Sequence, residues 1–238
     1  MDLCAGLVQD KDPHPMTALP KPAIGQTVMD AEFGTTIRRI TEVATGTGND
    51  PVIKPMYSTI SAWNADESRL LLFSVAEGAH LLYDGKTYAL LGPIDIAPAD
   101  IEQVYWHTSD PDVLFYVEGK DFIRYHVTAK SKEVVTTFDF CASSASAGGD
   151  PLFMSWDSNR IGLGCGDQVF LYDIGQNKVL ARKTMNENPA QITPSGKLAY
   201  YSDSGRVADE SLTDLRTIDV VEPFGHASLS MVNGHDSW

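Results

Sequence analysis

An internal repeat constrains this chain more than any other feature. Four segments share one order of parts: a short strand-like run, a polar turn, then an apolar run. Ser61-Ala62-Trp63 leads through Asn64-Ala65-Asp66-Glu67-Ser68 into Leu70-Leu71-Leu72-Phe73. Val104-Tyr105-Trp106 leads through His107-Thr108-Ser109-Asp110-Pro111-Asp112 into Val113-Leu114-Phe115-Tyr116. Met154-Ser155-Trp156 leads through Asp157-Ser158-Asn159-Arg160 into Ile161-Gly162-Leu163. Gln191-Ile192 leads through Thr193-Pro194-Ser195-Gly196-Lys197 into Leu198-Ala199-Tyr200-Tyr201, and Ser230 to Asp236 opens a fifth copy that reaches only its first strand. Asp, Asn and Ser suit such turns because their side chains bond the nearby backbone, so a Ca²⁺-binding role for these turns is disfavoured.

The copies recur about every 37–50 residues, the period of a four-stranded propeller blade. Later runs supply the remaining strands: His80–Asp84 and Thr87–Leu91 in the first copy, Phe122–Val127 and Glu133–Phe138 in the second, Val169–Asp173 and Lys178–Ala181 in the third, and Leu215–Val221 in the fourth. A sheet that is apolar on both faces cannot bury them alone, so neighbours must stack. Trp63, Trp106 and Trp156 are expected to pack between sheets on that ground. Short apolar runs without a sustained 3.6-residue period predict an all-β chain with almost no helix. The predicted fold is a partial β-propeller of about four to five blades.

The organisation read from the sequence is an irregular leader over 1–29, rich in proline (Pro13, Pro15, Pro20, Pro22), and a propeller domain over 30–238 that opens with a strand at Phe33–Thr41. No run approaches the ~18 apolar residues of a membrane span. Met1 to Pro22 lacks the apolar centre of a signal peptide, which reads as a cytoplasmic protein or a chain without its original N-terminus. A net charge of −14 disfavours nucleic acid and anionic membranes as partners. Cys4, Cys141 and Cys165 are too widely spaced for a zinc site. Three unlinked thiols are expected, with a Cys141–Cys165 bridge as the alternative.

The Trp-turn-strand copies resemble the W-S-P-D-G repeats of TolB-like and WD40-like propellers over about residues 30–238. The opening, Asp30 to Thr41 followed by a long loop and a first blade, is similar to the start of the seven-bladed oligogalacturonate lyase family. The resemblance implies a larger seven-bladed ring of which this sequence is a fragment, or a partner chain that closes the ring. It also implies an extracellular or periplasmic address.

A propeller binds ligands at the mouth of its central channel, lined by the first strand of each blade. Counting back six positions from each Trp or its equivalent gives Tyr57, Asp100, Asp150, Asn186 and His226 as candidate ligand-binding residues. Their polarity suits a glycan, a protein surface or a cation. Asp100, Asp150 and His226 are the candidate ligands of a divalent metal ion. His80, His107 and His126 are weaker candidates. The chain contains no nucleophile elbow, phosphate loop or HExxH, and Gly162-Leu163-Gly164-Cys165-Gly166 is not a dinucleotide fingerprint, because no helix follows it. Two functions compete: a non-catalytic module that binds a glycan or protein at the channel face, and a polysaccharide lyase. The lyase would need His226 or Tyr57 as base, and a metal to neutralise the uronate carboxylate.

Overall fold

The computed structural model describes residues 10–43, 52–148, 154–218 and 229–237. The chain divides into two compact units, Met1–Ile53 and Lys54–Trp238. In the first, β1 (Thr27–Asp30) and β2 (Thr35–Arg38) form an antiparallel hairpin. This hairpin starts three residues inside the segment read as an irregular leader, and β2 is shorter than the strand expected at Phe33–Thr41. Arg39 Nε and Nη1 donate to the carbonyls of Thr41 and Pro22 beside it.

All further strands run as consecutive antiparallel meanders. The first sheet comprises β3 (Ile53–Lys54), β4 (Arg69–Ser74), β5 (Ala79–Asp84) and β6 (Leu90–Pro93). The second comprises β7 (Tyr105–Trp106), β8 (Val113–Glu118), β9 (Asp121–His126) and β10 (Ser131–Thr137). The third holds β11 (Arg160–Cys165), β12 (Gln168–Asp173) and β13 (Lys178–Thr184). The fourth holds β14 (Gln191–Ile192), β15 (Leu198–Tyr201), β16 (Arg206–Asp209) and β17 (Asp214–Thr217). The hairpin of β18 (Ser230–Val232) and β19 (His235–Ser237) follows. The fifth copy therefore has two strands, because Asn233 and Gly234, at φ 51° and 79°, supply the turn between them. No helix occurs among the described residues, and hence none long and apolar enough to cross a membrane.

Alternation along the inner strands explains the stacking. Leu114, Tyr116, Ile123 and Tyr125 join Leu71 and Leu82 of the first sheet in one buried cluster. Val113, Phe115, Val117 and Phe122, on the opposite face of the same strands, join Ile161, Leu163, Phe170 and Tyr172 of the third sheet. Val169 and Leu171 then face Ala199, Tyr201 and Ala208 of the fourth. A strand whose two faces are both covered reads as an unbroken apolar run, as Val113–Val117 does. The outer strands β10, β13 and β17 are largely exposed and carry the charges that keep sheet edges from pairing.

Two glycines permit close approaches. A Cβ at Gly162 would lie 1.8 Å from the Ala190 carbonyl oxygen, where the third sheet meets the chain leading into β14. A Cβ at Gly85 would lie 2.0 Å from the Glu67 carbonyl oxygen. Asp84 accepts hydrogen bonds from the backbone of Lys86 and Thr87, which delays β6 to Leu90, three residues beyond the start expected at Thr87.

The cysteines correct one expectation: Cys141 and Cys165 form a disulfide, with their Cα atoms 5.7 Å apart. Both are buried in the cluster between the second and third sheets. The bridge fastens the loop that follows β10 to the end of β11. Cys141→Ser with Cys165→Ser should cost about 3 kcal/mol, from the loop-closure entropy of a segment this long. Leu114→Ala should cost about 2–5 kcal/mol from the buried cavity it leaves. Urea denaturation measures both, and the denaturant slope should rise for the disulfide variant alone.

Candidate functional site

The backbone hydrogen bonds that close each turn set the true register of the repeats. Asn64 N donates to Arg69 O (3.1 Å), His107 N to Val113 O (2.9 Å), Ser155 N to Arg160 O (2.9 Å) and Thr193 N to Leu198 O (3.0 Å). Equivalent residues are thus Trp63, Trp106, Met154 and Ile192. Trp156 lies two positions further on, within the turn. Polar side chains at the turn position accept from the next strand: Asn64 from Arg69 N, Ser155 from Arg160 N and Thr193 from Leu198 N.

This register corrects the reading of the tryptophans. Trp106 is 7% exposed and packs on the first sheet, with Nε1 donating to Ala62 O at 3.2 Å. Trp63 is 38% exposed and Trp156 is 51% exposed, so neither is a buried inter-sheet residue. Trp63 Nε1 donates to Gly85 O at 3.5 Å, in the turn between β5 and β6. The place expected for Trp156 is taken by Met154, which is buried against the second sheet.

The five candidate ligand residues separate as follows. Tyr57 is half-buried and packs against the cluster between the second and third sheets. Asp100 is half-buried. Its Oδ1 accepts from Glu102 N (2.9 Å) and its Oδ2 from Gln103 Nε2 (3.1 Å). Asn186 is exposed in the bend between β13 and β14. Asp150 and His226 lie outside the described residues. Counted in the hydrogen-bonded register, the position equivalent to Tyr57 and Asp100 in the third repeat is Gly148.

One residue the sequence did not single out joins these loops. Gln103 is buried. Its Nε2 donates to Gly148 O (2.7 Å) as well as to Asp100, and its Oε1 accepts from Ala147 N (2.6 Å). The loops leading into the second and third sheets are therefore clasped by a single amide. Gly148 in turn abuts the fourth sheet's leading loop: a Cβ on it would lie 2.7 Å from Pro189 Cδ and 3.2 Å from Asn188 Oδ1. Asn188 Nδ2 donates to Asp203 Oδ2 (3.0 Å). A cavity of about 220 Å³ opens here, lined by Ser146, Gly148, Gly164, Gln168, Glu187 and Asn188 among others. Arg206, the cation beside it, is held by Glu187 and by Asp214, the latter at 2.9 Å.

Tyr105 stands next to this region on the first strand of the second sheet. Its hydroxyl is buried with no hydrogen-bond partner. Burial, and then the charge of Asp100, hold that hydroxyl protonated well above the ordinary tyrosine range. An unpaired buried hydroxyl is costly.

The histidines do other work. His80 is buried, its Nε2 2.8 Å from Ile101 O, and burial pushes its pKa below the ordinary imidazole range while that bond opposes the shift. His107 accepts backbone N–H bonds from Ser109 and Asp110 at Nδ1. His126 Nε2 lies 3.6 Å from Glu133. No group of three His, Cys, Asp or Glu side chains gathers among the described residues. Asp100 is turned onto its own loop, and the other two candidate metal ligands, Asp150 and His226, lie outside the described residues.

No family profile and no curated protein matches the sequence. Among solved structures, the chain is similar to an oligogalacturonate lyase from Vibrio parahaemolyticus, with a TM-score of 0.61 and 14% identity, covering 86% of this chain and 61% of that one. A second oligogalacturonate lyase, solved in complex with manganese, gives a TM-score of 0.50 at 14% identity, covering 79% of this chain and 70% of that one. The fold is a partial β-propeller. The chain spans 61% of the length of the Vibrio lyase, and at this identity the likeness concerns fold.

Gln103→Leu should cost about 1–3 kcal/mol, because it leaves the half-buried Ala147 N and Gly148 O without their partner. Urea denaturation measures the loss, and hydrogen exchange should show residues 145–148 opening before the sheets.

Proposed function

We propose that this protein is a propeller module that binds a glycan at the channel face formed by its leading loops. The observation that carries the reading is the run of amide, hydroxyl and carboxylate groups from Asp100 through Gln103 and Gly148 to Asn188, which ends in a polar cavity of about 220 Å³. Such a cavity suits one hydroxyl-rich sugar ring rather than an apolar ligand. Tyr57 and Asn186 lie in the same set of loops, His226 belongs to the proposed ring by its place in the repeat, and in the third repeat Gly148 takes the place first read for Asp150. The Cys141–Cys165 disulfide favours an oxidising compartment.

The second reading is a lyase acting on uronate glycans by β-elimination, and the likeness to two oligogalacturonate lyases favours it. That chemistry takes the proton α to a carboxylate and needs a cation to stabilise the resulting charge. Arg206 is already held between Glu187 and Asp214. The described residues bring no further cation to this cavity, so binding ranks above catalysis.

Calorimetric titration with neutral and uronate oligosaccharides tests the reading. Saturable binding is expected, weakened about tenfold by Asn188→Ala or Asp100→Ala, each of which removes one or two hydrogen bonds. Ultraviolet absorbance should show no unsaturated product. Binding unchanged in both variants contradicts the proposed site, and accumulation of unsaturated product replaces it with the lyase.

A further inference from the structure

The opposite end of the first strands carries features that the channel-face reading does not use. There the turns leaving each first strand are bonded sheet to sheet. Asn64 Nδ2 donates to Pro111 O (2.8 Å), Thr108 Oγ1 to Trp156 O (2.6 Å) and Trp156 N to Pro194 O (3.0 Å). Trp156 is therefore fixed from two neighbouring sheets through its backbone, yet its side chain is half in solvent. A rigid backbone with an exposed indole is poorly explained by packing alone.

Two adjoining cavities open at this end. One, of about 690 Å³, is lined by Ser61, Trp63, Tyr88, Trp106, His107 and Thr108 with the Lys86–Glu67 pair. The other, of about 210 Å³, shares Ser61, Trp106 and Thr108 and adds Tyr105, Met154 and Trp156. Together they form one surface across three successive sheets, with an exposed indole toward either end. Tyr88 borders it at φ 64°, a backbone conformation that bulky residues seldom adopt.

We infer that this turn-end surface is a second binding site, for a neutral oligosaccharide. A pyranose ring has an apolar C–H face and a rim of hydroxyls. The negative face of an indole attracts the C–H face, and the Ser61 and Thr108 hydroxyls, which line both cavities while donating to Trp63 O and Trp156 O, keep acceptor lone pairs for the rim. Charge decides against an acidic sugar. Lys86, the lysine lining the surface, sits 2.9 Å from Glu67 Oε2, and no arginine lines either cavity among the described residues. A carboxylate there would gain no unspent cation from a chain of net charge −14. The site is separate from the leading-loop cavity and goes beyond the proposed function.

Calorimetric titration with cellotriose, maltotriose and trigalacturonate, together with a proline-rich peptide, tests the inference on the full chain. At least one neutral trisaccharide should bind saturably. Trp156→Ala should weaken it about tenfold, the scale of a lost aromatic contact, and Trp63→Ala should weaken it less. Trp156→Phe should recover part of the affinity, and the thermal melt of each variant should stay near the parent's. Excess trigalacturonate and Asn188→Ala should leave this binding unchanged, which separates it from the leading-loop site. The inference is overturned if neither neutral trisaccharide binds, if both alanine variants bind as the parent does, or if the peptide binds and the sugars do not.

Discussion

Each inner sheet of this protein has two apolar faces, and covering both is the constraint from which the remaining structure follows. Strands β8 and β9 send alternate side chains to the first and third sheets, and β12 does the same toward the second and fourth. Neither sheet is stable without its neighbours, so stability is shared along the stack rather than held within any one meander. The aromatic contacts show this sharing directly: Phe122 of the second sheet meets the Tyr172 ring edge-on at 5.3 Å, and Phe138, just after β10, meets Phe170 at 4.8 Å.

Stacking brings the two ends of the first strands to two surfaces with different chemistry. At the turn end, adjacent turns bond backbone to backbone or through short side chains, down to Ser195 N donating to Asp236 Oδ1 of the last hairpin at 2.9 Å. That end is rigid and aromatic. At the leading end, longer loops are joined by side chains, Gln103 above all, and by the Cys141–Cys165 bridge. That end is polar and offers amides and carboxylates. A scaffold that fixes both ends independently can hold two recognition surfaces without coupling them.

The fold was legible because the stacking constraint writes itself into composition: a strand covered on both faces must be apolar throughout, as Val113–Val117 and Leu70–Phe73 are. The sites were less legible. Trp156 stands where the repeat calls for a tryptophan by eye, but the hydrogen bond from Ser155 to Arg160 shows that Met154 holds the packing position. A shift of two keeps the side chain on the same alternate set, so periodicity cannot reveal it. Gln103 carried no signal, since its role depends on Gly148, distant in sequence. The disulfide was hidden for the same reason: only the stacking of the second and third sheets brings Cys141 to Cys165. Tyr57 lies between β3 and β4, and Asp100 and Asn186 lie on the loops that lead into the second and fourth sheets, while the register moves the third-repeat position from Asp150 to Gly148.

Native-state hydrogen exchange under increasing urea tests the shared-burial account most directly. Amides of β8, β9, β11 and β12 should exchange at one common free energy, equal to that of global unfolding, while amides of the outer strands β10 and β13 exchange earlier. Exchange of β8 and β9 at a free energy well separated from that of β11 and β12 would show that the sheets open independently, and would contradict it.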